Sequence, residues 1–191
     1  IQPGNPPVIV FAGRFTPEKN LLQFVRSLAD LRHLEWQCTM VGDGPLFQPV
    51  AEAIQSLKLQ DRVTLPGWVT TEEATEWLAK GDILFMPSLS EGLPVVGVKA
   101  VAKGLAVVAS RIGGFLDIVD EGKNGYLVDL GQPQEYATAL QCLLTDPDRL
   151  LSFRQASLQK AQAFDIHKVT DAYEAIFTRL YSVQPGFKDR V

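Results

Sequence analysis

Val8-Ile9-Val10-Phe11-Ala12-Gly13-Arg14-Phe15-Thr16-Pro17-Glu18-Lys19-Asn20 decides the fold. A short apolar run rich in β-branched residues and closed by glycine predicts a buried strand over 8–12. The residues that follow, 20–31, place apolar side chains at helical spacing and predict an amphipathic helix. A strand feeding a helix is a βα unit, and the same rhythm recurs downstream. Further strands are expected at 37–41, 63–65, 83–86, 105–108 and 126–128, with helices at about 45–58, 71–80, 93–103 and 115–120. Strands that are apolar throughout have no wet face, so they belong in a parallel sheet covered on both sides. The fold class expected is α/β: a Rossmann-like, doubly wound parallel sheet of about six strands with helices on both faces. Extra C-terminal helices are expected at about 132–144, 147–163 and 167–182, with Asp146-Pro147 and Asp165 marking starts.

The 191 residues suit one well-buried core, so a single domain spanning 1–191 is expected. The chain begins without Met in Ile1-Gln2-Pro3-Gly4-Asn5-Pro6-Pro7, which reads as the stiff edge of an excised domain and not as a signal peptide. No apolar run approaches the roughly 20 residues of a membrane-spanning helix. A net charge of -4 argues against a polyanion as the main partner, because nucleic-acid binding draws on clustered cations. Cys38 and Cys142 lack ligand-like spacing, so neither a zinc site nor a disulfide framework is suggested, and a reducing cytoplasm fits best.

In an open parallel sheet ligands bind beyond the carboxyl ends of the strands. The loops to inspect are therefore 13–20, 42–45, 66–70, 87–94 and 110–114. The first carries Arg14 and Lys19 just before a helix N-terminus, a combination suited to a diphosphate. Alone, the two cations read better as solvated surface residues of a loop. In the fourth, Ser88-Leu89-Ser90-Glu91-Gly92-Leu93-Pro94 passes into a helix with Pro94 near its first turn, and the amides of Gly92 and Leu93 are free to meet an anion. Glu91 either caps that helix or accepts hydrogen bonds from sugar hydroxyls. Gly113-Gly114 supplies a second turn at the same edge, or only tight packing. Trp68 lines a base pocket or packs in the core or at a rim.

Other chemistries find less support. Val41-Gly42-Asp43-Gly44-Pro45 starts like a dinucleotide fingerprint, but Phe47 stands where the third glycine belongs, and Asp61 precedes a strand instead of ending one. Asp146-Pro147-Asp148 lies between helices and reads as an N-cap, so no metal is assigned. His33 and His167 have no triad partners in register, and neither Gly-x-Ser-x-Gly nor a P-loop is present.

Gly13 to Asn20, Val41 to Pro45, Val63-Thr64-Leu65-Pro66-Gly67-Trp68-Val69, Ser88 to Val96 and Ser110-Arg111-Ile112-Gly113-Gly114, in this order, resemble the C-terminal domain of glycosyltransferase family 4, the group 1 glycosyl transferases. The resemblance runs from Val8 to about Tyr181. It implies a GT-B architecture in which this half binds a UDP-, GDP- or ADP-linked sugar and an absent N-terminal half binds the acceptor. It also implies a retaining transfer, without a cofactor, to a sugar, glycolipid or other hydroxyl acceptor in polysaccharide or glycolipid synthesis. Peripheral membrane association of the full-length protein is compatible with that role. Carried over residue by residue, Arg14 and Lys19 meet the diphosphate, Glu91 meets the sugar, and Gly92 and Leu93 meet sugar and phosphate. The binding set implied is Gly13, Arg14, Lys19, Gly42, Trp68, Glu91, Gly92, Leu93, Pro94 and Lys99, with Glu91, Arg14 and Lys19 closest to the chemistry.

One position departs from the pattern. Eight residues after Glu91, where the family places a second Glu that accepts from the ribose hydroxyls, stands Lys99. An ammonium only donates, so the ribose clamp is altered. The donor is held differently, Lys99 meets an additional anionic group, or the site is degenerate, as in a non-catalytic sugar-nucleotide module; otherwise Lys99 points to solvent and the site binds donor more weakly. A GT-B-fold epimerase is a further alternative, but it would need carboxylates and histidines that the two His residues do not supply.

Overall fold

The computed structural model describes residues 1–183, with side chains described through residue 180. Six parallel strands form one sheet: β1 (Val8–Ala12), β2 (Gln37–Val41), β3 (Val63–Gly67), β4 (Ile83–Met86), β5 (Ala106–Ser110) and β6 (Gly125–Val128). Their spatial order is β3-β2-β1-β4-β5-β6, which makes the sheet doubly wound, the fold class expected from the sequence. All residues of β4 and β5 are buried, as are four of the five in β1. This is why the central strands carry no polar alternation. Pro66 and Gly67 belong to β3, not to the loop after it, and β3 is an edge strand, where a proline costs no ladder bond on its outer side.

Eight α-helices accompany the sheet among the described residues: α1 (Leu21–Asp30), α2 (Phe47–Ser56), α3 (Thr71–Ala79), α4 (Val95–Ala102), α5 (Gly113–Leu116), α6 (Glu135–Leu144), α7 (Pro147–Ala161) and α8 (Ile166–Val183). α1 packs beside α2 and α6, while α4 packs beside α3 and α7, so each face of the sheet is covered. Several boundaries differ from expectation. α4 starts at Val95 because Pro94 is extended and forms its N-cap. α5 is a single turn beginning at the glycine pair, not a helix over 115–120. α6 starts three residues late, after Pro133, and the stretch 147–163 divides into α7 and a 3-10 turn at Gln162–Phe164. Asp146 does cap α7, accepting from the Arg149 amide at 3.0 Å.

Beneath the sheet's amino edge, Asp82 and Arg154 form a buried ion pair. Asp82 accepts from the amides of Gly4 and Val8, and Arg154 donates to the carbonyls of Gly104 and Gln2. Together they bind the N-terminal segment, α7 and the start of β4 into one unit, with the charges satisfied by neighbouring backbone. No helix among the described residues is long and apolar enough to cross a membrane.

Candidate functional site

The winding reverses between β1 and β4, which are hydrogen-bonded parallel neighbours from which successive strands proceed toward opposite edges of the sheet. The loops leaving them, 13–20 and 87–94, therefore diverge from one point, and a crevice opens between them. The Leu89 amide donates to the Glu18 carbonyl at 2.7 Å, which ties the two loops together by their backbones.

Phe15 is the anchor of the first loop, and sequence reasoning had passed over it. Its ring is fully buried, edge-on to Phe11 and beside Phe47. Its amide donates to Asp43 and its carbonyl accepts from Leu46. Burying such a ring contributes about 2–3 kcal/mol and holds Arg14, next to it, at the rim. Apolar character in a loop that otherwise reads as polar is the signal that could have found it. Beyond Phe15 the chain makes a 3-10 turn at Pro17–Lys19 and reverses at Asn20, which adopts a left-handed conformation that Asn tolerates well. The Thr16 hydroxyl donates to Glu18, which holds that carboxyl below the usual range, with Lys19 and Arg14 adding to the effect.

This turn sends Lys19 back across Gly13 toward the neighbouring loop. Its Nζ reaches Glu91 Oε1 at 2.6 Å, although the residues are 72 apart in sequence. Both side chains are largely buried, 16% and 10% exposed, so the pair is shielded from salt and water. Glu91 therefore pairs with a lysine and does not cap α4. Gly92 and Leu93 lie in the bend before Pro94, exposed, and no described residue accepts from their amides. Ser88, fully buried at the end of β4, has a hydroxyl with no hydrogen-bond partner among the described residues.

Arg14 is exposed and faces a different part of the rim. With Ala12, Gly13, Gly42, Asp43, Trp68 and Thr70 it lines a cleft of about 220 Å³ over the ends of β1, β2 and β3. Trp68 is 73% exposed there, an aromatic face open to a ligand, not a core side chain. Gly42 closes the cleft floor: a Cβ on it would lie 1.9 Å from the Gly13 carbonyl oxygen. Thr70 caps α3 in a reciprocal box with Glu73, whose carboxyl is held below its usual range by the Thr70 amide and hydroxyl.

Gly114 packs on the fourth loop: a Cβ there would lie 1.6 Å from the Gly92 carbonyl oxygen. Of the two readings of the glycine pair, close packing therefore describes Gly114. Lys99 does not point to solvent. It is half-buried, and its Nζ donates to Thr75 Oγ1 at 3.3 Å, one residue beyond Ala74 of the cleft wall. Burial pushes the Cys38 thiol far above its ordinary range, so it is an inert core residue. Among the described residues no group of three His, Cys, Asp or Glu could hold a metal ion.

The structure thus brings Lys19, Glu91, Gly92, Leu93 and Pro94 together at the switch point. Gly13, Arg14, Gly42 and Trp68 lie around the adjoining cleft, and Lys99 stands behind the cleft wall.

Comparison with known proteins places the chain in a family. The profile of the family described as glycosyl transferases, group 1, matches residues 6–146. The sulfoquinovosyl transferase SQD2 of Arabidopsis thaliana is 31% identical over 167 residues, which cover 86% of this chain and 32% of that protein. The Anabaena protein Alr3699/HepE, solved in complex with UDP, superposes with a TM-score of 0.81 at 24% identity, covering 92% of this chain and 49% of that one. The C-terminal domain of LpcC, a group 1 glycosyl transferase of Francisella tularensis solved on its own, superposes with a TM-score of 0.75 at 21% identity, covering 84% and 86%. The chain spans between about a third and a half of the length of the curated relatives it matches. With a profile match over most of its length and the fold of a C-terminal GT-B domain, the chain belongs to the group 1 glycosyl transferases.

Proposed function

We propose that this chain is the donor-binding part of a retaining glycosyltransferase, holding a nucleoside-diphosphate sugar at the switch point between β1 and β4. The observation that carries the reading is the meeting of Lys19 and Glu91 beside the unpartnered amides of Gly92 and Leu93. A cation and backbone donors meet the pyrophosphate, and a carboxylate within the same few ångströms accepts from sugar hydroxyls. Arg14 approaches from the adjoining cleft, where Trp68 offers a stacking face to the base. As the glycosyl bond breaks, charge grows on the leaving diphosphate, and Arg14, Lys19 and the two amides offset it. Glu91 holds the sugar in orientation. That related structures contain UDP supports the donor class.

The acceptor hydroxyl is supplied through a second half of the enzyme. An exposed apolar stripe on α8, formed by Ile166, Val169, Tyr173, Ile176 and Phe177, supports this two-part reading, as does the length of the relatives. The chain by itself binds donor and does not transfer sugar.

Thermal unfolding with UDP, GDP, ADP and their glucose conjugates tests the assignment, since a ligand of the folded state raises Tm. At least one pair should stabilise wild type and not the Arg14→Met/Lys19→Met double variant. Failure of all six to shift Tm, or equal shifts in the double variant, would sink it.

A further inference from the structure

We infer that the Glu91–Lys19 pair makes the site select the sugar-linked nucleotide over the bare nucleoside diphosphate, and so favours release of the spent nucleotide. The inference rests on the donor-site reading above but goes beyond it, because it assigns Glu91 a role when no sugar is present.

The pair is already closed without ligand. Lys19 Nζ sits 2.6 Å from Glu91 Oε1, and Glu91 is 10% exposed. The carboxylate accepts no other hydrogen bond among the described residues. An arriving diphosphate competes for the same ammonium. If Lys19 turns to the phosphate, Glu91 is left as a buried carboxylate without a donor, which costs its desolvation. If Lys19 stays, a carboxylate remains beside an incoming anion.

A sugar-linked diphosphate relieves this conflict, because a sugar hydroxyl donates to Glu91 in place of Lys19. The bare diphosphate does not. It lacks the hydroxyls of the transferred sugar, and its terminal phosphate carries one further negative charge toward the carboxylate. The penalty therefore falls on the product and not on the donor. A carboxylate that merely bound sugar, without closing on the lysine, would leave the affinity for the bare nucleotide almost untouched.

The test is calorimetric titration of wild type and Glu91→Gln with UDP, GDP and ADP and with their glucose conjugates. Gln keeps the size of Glu and removes its charge. The bare nucleotide that binds wild type should bind Glu91→Gln about tenfold more tightly, the worth of a charged hydrogen bond returned to Lys19. Its glucose conjugate should bind unchanged or more weakly. Glu91→Ala also removes the charge and should shift the bare nucleotide in the same direction. Tighter binding of the bare nucleotide without tighter binding of its conjugate separates this role from a structural one, since a disturbed loop weakens both; equal tightening of the two ligands overturns the selection. Unchanged or weaker binding of the bare nucleotide in both variants overturns the inference while leaving the donor site standing. If wild type binds none of the six ligands, the donor-site reading itself fails and this one with it.

Discussion

Gly114→Ala tests whether packing between two loops sets the turn at 91–94, proposed above to meet the diphosphate. The added Cβ would lie 1.6 Å from the Gly92 carbonyl oxygen and 2.7 Å from Pro94 Cδ. Real contacts of a Cβ essentially never fall below 3.0 Å, so the bend at 91–94 and the start of α5 must part by at least about 1.4 Å. Backbone cannot swing away as a side chain end can. Overpacking of this kind costs about 1–3 kcal/mol of stability. The larger effect is on binding. Displacement by more than an ångström takes the Gly92 and Leu93 amides out of register with Lys19, and misplacements of ~1 Å can cost of the order of 100-fold. The neighbouring glycine supplies the control, because a Cβ on Gly113 would meet nothing within 4 Å. Gly113→Ala should fold at least as well as wild type and bind nucleotide equally. Melting temperature and calorimetric Kd for the best-binding nucleoside diphosphate decide the matter. If the two alanine variants behave alike, the close approach of the loops is not what positions the turn, and the reasoning is wrong.

Other outcomes follow from the same geometry. Arg154→Met leaves the buried Asp82 with only the amides of Gly4 and Val8 as donors, and should cost about 3–5 kcal/mol in denaturant unfolding; a loss under 1 kcal/mol would mean that these backbone donors alone satisfy Asp82. Thr70→Ala removes the α3 cap and should cost about 1 kcal/mol at neutral pH. The Glu73 carboxyl is held low in the folded state, so its contribution is present above its unfolded pKa and is lost as pH falls through the lower folded value. Wild type should therefore lose Tm more steeply than Glu73→Gln, which has no carboxylate to protonate, on acidification below about pH 4.5, and parallel curves would refute that contribution. Lys99→Glu restores an acceptor beside the cleft and should tighten nucleotide binding in calorimetry; unchanged or weaker affinity would show that Lys99 does not compromise the ribose side of the site.

Much of the fold and the main elements of the candidate site were legible in the chain because local rules govern them. Apolar runs such as Ile83 to Met86 can only be interior strands, Asp146 before Pro147 announces a helix, and a loop with Arg14 and Lys19 at a strand's end invites an anion. Boundaries near Pro94 and Gly113 were misread because helix starts there depend on how neighbouring loops pack. That packing is not encoded within a few residues.

The sequence by itself determined the βα alternation, the buried character of the strands and the residue types that each rim loop presents, since these follow from side-chain chemistry and spacing. Only the tertiary structure decided that β4 lies against β1, and so that Glu91 closes on Lys19 from 72 residues away. It alone turned Lys99 onto Thr75, buried Phe15 beneath the first loop and pressed Gly114 against Gly92. Strand order and loop contacts arise from the packing of the whole sheet and its helices, a long-range balance that no window of sequence contains.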